Sequence, residues 1–244
     1  VSEPLIHLPG CVPGIDLSGW NKRLDYDAIP LDGVRFAWIK VSQGNDPRGL
    51  GAKLASEHAR GLEEAGIADV GVYHFAVPSD YPDDPDIEAE VLLRELDDID
   101  ARGLRPVLDY ERETGDSFDD ELWISSWVVR VYDALGILPG IYIGKLARNG
   151  KVDLARVCRI IAQALGLEVE FVERELFRWS ARYPTTKGRP LAEFHRLAVA
   201  QIERGPRIEG WDVWQWTSSW RPKWARGSID VNAALDMDLI RWRG

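Results

Sequence analysis

Apolar residues follow two rhythms along this chain. Short runs rich in β-branched, aromatic and aliphatic residues recur at Val12–Leu17, Val34–Val41, Val70–Phe75, Arg105–Tyr110 and Gly140–Ile143, the length and composition of buried strands. Between them, Ala52–Ala65, Ile87–Ala101 and Asp119–Leu135 place apolar residues at helical spacing with polar residues interleaved, which predicts amphipathic helices. Gly66, Gly103 and Gly136 follow or close these helices, as expected of a left-handed C-terminal position. Strand, helix, strand at intervals of roughly 30 residues predicts βαβ units and a parallel sheet.

After Gly144 the rhythm changes. Residues 151–165 read as one more amphipathic helix, and Leu176–Ser180, Val213–Thr217 and Ser228–Val231 as three short strands. The segment 184–210, with Pro184, Gly188, Pro190, Gly205, Pro206 and Gly210, is the most loop-like part. No repeat, low-complexity tract or linker divides the chain. The pattern predicts an α/β fold, a modified TIM-like barrel of five βα units followed by three strands with few helices, although an open doubly wound sheet would share its first half.

Composition narrows the function. Forty acidic against 30 basic side chains give a formal net charge of −10 over 244 residues, and no long basic run offers the clustered cations that phosphate binding needs. Nucleic acid is not an expected partner. No apolar run is long enough to span a bilayer, and residues 1–13 lack the basic and apolar regions of a signal peptide. Cys11 and Cys158 form no CxxC and have no paired His nearby, so no zinc-site spacing is present; one long-range disulfide and two buried thiols both remain open. Eleven Trp are the unusual entry in the composition. Flat rings at this density point either to core packing or to sugar stacking.

In a parallel barrel the C-terminal ends of the strands meet at one face, so polar residues there are candidates for chemistry. Asp16 ends the first strand, Asp109 and Glu111 end the fourth, and Asp230 lies in the last strand-like run. Positions i and i+2 of a strand share a face about 6 to 7 Å apart. The member of the Asp109/Glu111 pair in the less polar setting should therefore hold a proton more tightly and become a candidate acid. An acid beside a second, ionised carboxylate is what glycoside hydrolysis requires. The ordinary alternative is that Asp109 or Glu111 caps a helix or pairs with Arg112. His74 reads as a hydrogen-bonded barrel residue, since no second ligand is near it in sequence. In Trp214-Gln215-Trp216 the two indoles take one face of a strand and Gln215 the other, so one set lines the barrel and the other packs outward.

Taken in order, Gly14-Ile15-Asp16-Leu17-Ser18-Gly19-Trp20-Asn21, Phe36-Ala37-Trp38-Ile39-Lys40, Gly71-Val72-Tyr73-His74-Phe75-Ala76-Val77-Pro78, Pro106-Val107-Leu108-Asp109-Tyr110-Glu111, Gly140-Ile141-Tyr142, Leu176-Phe177-Arg178-Trp179-Ser180-Ala181-Arg182-Tyr183, Trp211-Asp212-Val213-Trp214-Gln215-Trp216 and Ile229-Asp230-Val231-Asn232 resemble the glycoside hydrolase family 25 (Chalaropsis-type) lysozymes. The resemblance implies hydrolysis of the β-1,4 bond between N-acetylmuramic acid and N-acetylglucosamine in peptidoglycan. It implies Glu111 as proton donor, Asp109 as the carboxylate that assists a substrate N-acetyl group or stabilises the developing charge, and Asp16 and Asp230 as the remaining acidic pair. Tyr73, Tyr142, Trp179 and Gln215 fall on groove positions; Trp20, Trp214 and Trp216 are further candidates for the sugar path, whereas Trp123 and Trp127 belong to packing. The resemblance implies no metal and no cofactor, and a monomer acting on the cell wall is expected.

Two departures stand out. Lys40-Val41-Ser42-Gln43-Gly44 carries Gln where the family pattern has Glu, which removes a charge but keeps hydrogen bonding. The stretch 147–175 is longer than the usual link and reads as a helical insertion within a single catalytic domain spanning 1–244. The alternatives are a non-catalytic glycan-binding module and a chitinase-like Asp-x-Glu glycosidase. Secretion and release at phage-induced lysis are both compatible settings; the missing signal and the insertion favour a phage endolysin.

Overall fold

The computed structural model describes residues 6–46, 54–99, 101–112, 119–143, 146–147, 149–184, 191–203 and 211–242. Eight strands close into one barrel in sequence order: β1 (Val12–Leu17), β2 (Phe36–Gln43), β3 (Asp69–Phe75), β4 (Val107–Asp109), β5 (Gly140–Tyr142), β6 (Arg178–Ala181), β7 (Val213–Trp220) and β8 (Ile229–Ala234). From β1 through β7 each strand runs parallel to the next. β8 is antiparallel to both β7 and β1 and so closes the ring in the reverse sense.

The helices are α1 (Ala55–Glu64), α2 (Asp84–Ile99), α3 (Asp120–Leu135), α4 (Leu154–Leu165), α5 (Val169–Glu175), α6 (Leu191–Glu203) and α7 (Met237–Ile240). α3 begins where Asp119 accepts hydrogen bonds from the backbone N–H groups of Glu121 and Leu122, and it ends at Gly136 with φ +70°. α4 is built the same way, with Asp153 capping Ala155 N–H and Gly166 at φ +66°, so sequence-local chemistry fixes both ends. Gly66 also takes positive φ, but Gly103 does not. Gly103 is needed for space, since a Cβ there would lie 2.3 Å from the Ala68 carbonyl oxygen.

The barrel interior explains much of the residue pattern. Phe36 and Trp38 on β2, Tyr73 on β3, Val107 on β4, Tyr142 on β5, Phe177 just before β6 and Trp179 on it form one inner cluster. Large rings require small neighbours: a Cβ on Gly14 would meet the Phe36 ring at 2.2 Å, and one on Gly140 the Phe177 ring at 2.1 Å. Alternating small and large residues thus fill the lower barrel. Outward residues such as Ile15, Leu17, Ile39, Val41 and Val72 pack with the helices in a second, larger core that includes Trp123 and Trp127, both fully buried.

Two expectations change in the last third. The centre of 184–210 is the helix α6, with Phe194 and Ala198 buried. Its Pro and Gly residues flank that helix, and Gly188, Pro190, Gly205, Pro206 and Gly210 lie outside the described residues. The stretch 147–175 contains two helices, α4 and α5; positions 148, 52 and 53 of the expected elements lie outside the described residues. Cys11 and Cys158 are buried free thiols, and burial pushes the Cys11 thiol up to about 11.

Candidate active site

A groove at the C-terminal rim of the parallel strands is lined by Asp16, Ser18, Trp20, Lys40, Tyr73, Phe75, Asp109, Glu111, Tyr142, Trp179, Tyr183, Gln215 and Asp230. All four predicted carboxylates therefore face one space. The route of Asp230 differs from that of the others. Because β8 runs backwards, it is the start of this strand that reaches the rim, and Asp230 stands in register with Asp16 on β1.

Aromatic rings make the floor. The Trp179 indole stacks on Trp38 at 4.7 Å between centroids and meets the edges of Tyr142 at 5.1 Å and Tyr73 at 6.3 Å. Its N–H donates to Asn232 Oδ1 at 3.0 Å. These contacts fix Trp179 in one orientation in the groove floor, where it is 3% exposed.

Gln215 ties the carboxylates to the tyrosines. Its Nε2 donates to Asp16 Oδ2 at 3.0 Å and to Asp230 Oδ2 at 3.5 Å, while its Oε1 accepts from Tyr142 at 3.2 Å and Tyr183 at 3.0 Å. Asn232 Nδ2 donates a second hydrogen bond to Asp16 Oδ2 at 2.9 Å. Burial raises the Asp16 carboxyl above its ordinary range, and these donors oppose the rise. Tyr73 and Tyr142 are pushed well above the usual phenol range by burial and then by the surrounding carboxylates. Tyr183 is raised to about 12 chiefly by burial.

Asp109 and Glu111 occupy different environments. Asp109 is half-buried, and its Oδ1 is buried without a hydrogen-bond partner among the described residues. Burial, followed by repulsion from Glu111 and Asp16, holds its carboxyl well above the usual range, with Lys40 acting in the opposite sense. Glu111 is exposed at the mouth. Burial thus makes Asp109 hold its proton more tightly than an ordinary carboxyl in the unliganded groove. Lys40 Nζ donates to Gln43 Oε1 at 2.7 Å and lies 4.2 Å from the centroid of the Phe75 ring. Its ammonium is lowered by burial and sustained by Asp109.

Four lining residues were not among the predicted ones: Ser18, Lys40, Phe75 and Tyr183. Lys40 had a signal, because it continues the inward series Phe36, Trp38, Lys40 along β2. Tyr183 follows the end of β6, where spacing gives no direction. Two predicted residues lie elsewhere. Trp214 and Trp216 are buried in the outer core, with Trp214 donating to the Arg182 carbonyl at 2.7 Å and Trp216 set edge-on to His195 of α6. Gln215 takes the inward position between them, so the expected sugar path does not include these two rings. His74 is a buried strut: Ser42 Oγ lies 2.8 Å from its Nδ1 and Glu88 Oε2 lies 2.7 Å from its Nε2. Among the described residues no group of three or more His, Cys, Asp or Glu is arranged to hold a metal ion.

Carboxylates grouped over an aromatic floor at the rim of a closed β/α barrel define a glycoside hydrolase. Residues 15–156 match the sequence model of glycosyl hydrolases family 25, more than half of the chain, and the protein belongs to that family. The matched span stops within α4, so Trp179, Gln215 and Asp230 lie beyond it.

Structural likeness continues further. The catalytic domain of endolysin Ply40 from bacteriophage P40 of Listeria monocytogenes is 22% identical, with a TM-score of 0.66 over 94% of this chain and 95% of that one. The spore cortex lytic enzyme SleM of Clostridium perfringens is 20% identical, with a TM-score of 0.68 over 96% of this chain and 71% of that one. A lysozyme from Streptomyces coelicolor is 17% identical, with a TM-score of 0.58 over 92% of each chain. Comparison with the sequences of curated proteins returns no match.

Proposed function

We propose that the protein is a muramidase that hydrolyses the β-1,4 bond between N-acetylmuramic acid and N-acetylglucosamine in peptidoglycan. The observation that carries this reading is the convergence of Asp16, Asp109, Glu111 and Asp230 over Trp179 in one groove. Glu111, exposed at the mouth, is placed to give a proton to the glycosidic oxygen as the bond breaks. Seating a glycan over it excludes water from the reacting atoms and brings the leaving oxygen within reach of the carboxyl.

Asp109 lies below and serves in its ionised form, either accepting a hydrogen bond from the substrate N-acetyl N–H or facing the positive charge that builds on the sugar ring. Lys40 supports that ionised form. Asp16 and Asp230, held in common by Gln215, add negative field on the opposite wall and fix the acceptor geometry for sugar hydroxyls. Tyr73, Tyr142 and Trp179 position the ring, and Trp20 extends the groove at its mouth.

In the same reading residues 1–244 act as one catalytic domain, with α4 and α5 as an inserted hairpin, and the protein works as a monomer on the wall after release at phage-induced lysis or after secretion. The resemblance to a phage endolysin domain supports the first setting. Among the described residues no helix is long and apolar enough to cross a membrane.

Mass analysis of fragments released from purified wall tests the proposal. Products ending in reducing N-acetylmuramic acid are expected from the wild type and none from a folded Glu111→Gln variant. Reducing N-acetylglucosamine ends, or full cleavage by the variant, would overturn it.

A further inference from the structure

A second concavity of about 320 Å³ adjoins the groove and is lined by Trp20, Asn21, Lys22, Arg23, Leu24, Ala225, Arg226, Gly227 and Ile229. Trp20 lines both spaces and is 79% exposed, so the second space continues the first past one indole. Their charges are opposite. The groove holds four carboxylates, whereas the adjoining wall contributes Lys22, Arg23 and Arg226 and no acidic residue.

On a chain of net charge −10, three neighbouring cations with no acid between them need an explanation. None of the three forms an ion pair with a described residue, and all are exposed. The two loops that carry them are also tied together. Asn21 Oδ1 accepts from Ser18 N–H at 2.7 Å, and its Nδ2 donates to the Ser228 carbonyl at 3.4 Å, tying the segment after β1 to the one before β8. Among the described residues Arg23 alone of the non-glycines has positive φ, at 60°. A side chain held in that costly conformation persists where its surroundings determine it, and such positions concentrate at binding sites.

We propose that this basic concavity is a subsite for the acidic peptide carried by the muramic acid residue next to the cleaved bond. The inference rests on the muramidase reading above. The glycan lies over Trp179 and runs out across Trp20, and the peptide branches from the sugar there, where its carboxylates meet Lys22, Arg23 and Arg226. The protein then distinguishes wall glycan, which carries peptide acids, from bare amino-sugar polymers, and recognises it through charge where bulk attraction to an anionic wall is absent.

The test uses soluble glycan strands free of phosphate polymers, prepared with their peptides and after removal of the peptides by an amidase. Reducing-end release is followed for wild type and for Lys22→Ala/Arg226→Ala. On peptide-bearing strands the double variant is expected to show KM raised roughly fivefold with kcat unchanged, and the KM of the wild type should rise with salt while that of the variant stays flat. On stripped strands the two proteins should behave alike. Equal loss on both substrates, or no loss on either, overturns the subsite. Equilibrium binding of both strands to the Glu111→Gln protein gives the same comparison without turnover. A protein that binds peptide-bearing strands preferentially but cleaves neither would refute the muramidase reading and leave the subsite standing.

Discussion

Asp109→Asn should make the protein more stable and catalytically inert. The wild-type carboxylate has its Oδ1 buried without a hydrogen-bond partner among the described residues and is repelled by Glu111, Asp16 and Asp230, with Lys40 as the opposing charge. Leaving such a group unsatisfied costs about 1–3 kcal/mol, and an amide of the same shape removes the charge while offering two N–H donors to the neighbouring carboxylates. For a domain of this size each kcal/mol moves Tm by about 2–4 °C, so a rise of roughly 2–12 °C at neutral pH is expected.

The pH dependence makes the test sharper. A carboxyl whose folded pKa is raised contributes stability that is complete below the unfolded value, 3.8 for this group. That contribution is lost as pH climbs through the folded value. The wild type therefore gains on acidification what the variant already has, and the two melting curves should draw together towards pH 3.8. Thermal unfolding across that range, with reducing-end release on the same samples, measures both halves. A variant less stable than wild type at neutral pH, or a gap that does not change with pH, would falsify the electrostatic account of Asp109.

Other substitutions read other parts of the site. Gln43→Glu places a carboxylate where Lys40 Nζ now meets an amide oxygen at 2.7 Å. The new ion pair weakens the pull of Lys40 on Asp109, so the acidic limb of the pH–rate profile should move to higher pH; an unchanged or lower limb counts against Lys40 as the group that sustains ionised Asp109. Trp216→Phe should lower Tm with KM unchanged, whereas Trp179→Phe, which loses the bond to Asn232 and the larger stacking surface, should raise KM several-fold. The reverse pattern in glycan kinetics would mean that β7 presents its other face to the groove. Glu88→Ala removes the acceptor shared by His74 and the Val77 N–H, and a loss of about 3–5 kcal/mol in chemical denaturation is expected for a buried partner left alone. A cost below 1 kcal/mol would show that the Ser42–His74–Glu88 chain is not a strut.

The sequence made the barrel legible through β5 because local signals and burial agree there: each inward residue of β2 alternates with an outward one, and capping residues mark α3 and α4. They disagree beyond. In α6 the Pro and Gly residues on either side outweighed the Phe194/Ala198 spacing, although those breakers mark the ends of the helix and not its interior. The inversion of β8 could not be read from Ile229–Ala234, since a strand buried on both faces has the same pattern in either direction. For the same reason the tandem Trp214-Gln215-Trp216 defined two faces without saying which was inward. The four carboxylates were legible because each ends or begins a strand, whereas Lys22 and Arg226 sit in different loops 204 positions apart by number, and only closure of the ring brings them together.

That closure also governs timing. β1 and β7 have no direct bond to each other and are joined only through β8, which brings Asp230 and Asn232 to Asp16 in the same stroke. A nascent chain that has made the first seven strands therefore holds an open trough with two unpaired edges, half of its acidic wall, and Gln215 without one of its two carboxylate partners. Cutting power would arrive abruptly with the last strand to emerge. For a glycoside hydrolase, synthesis itself keeps the blade unassembled until β8 has been made.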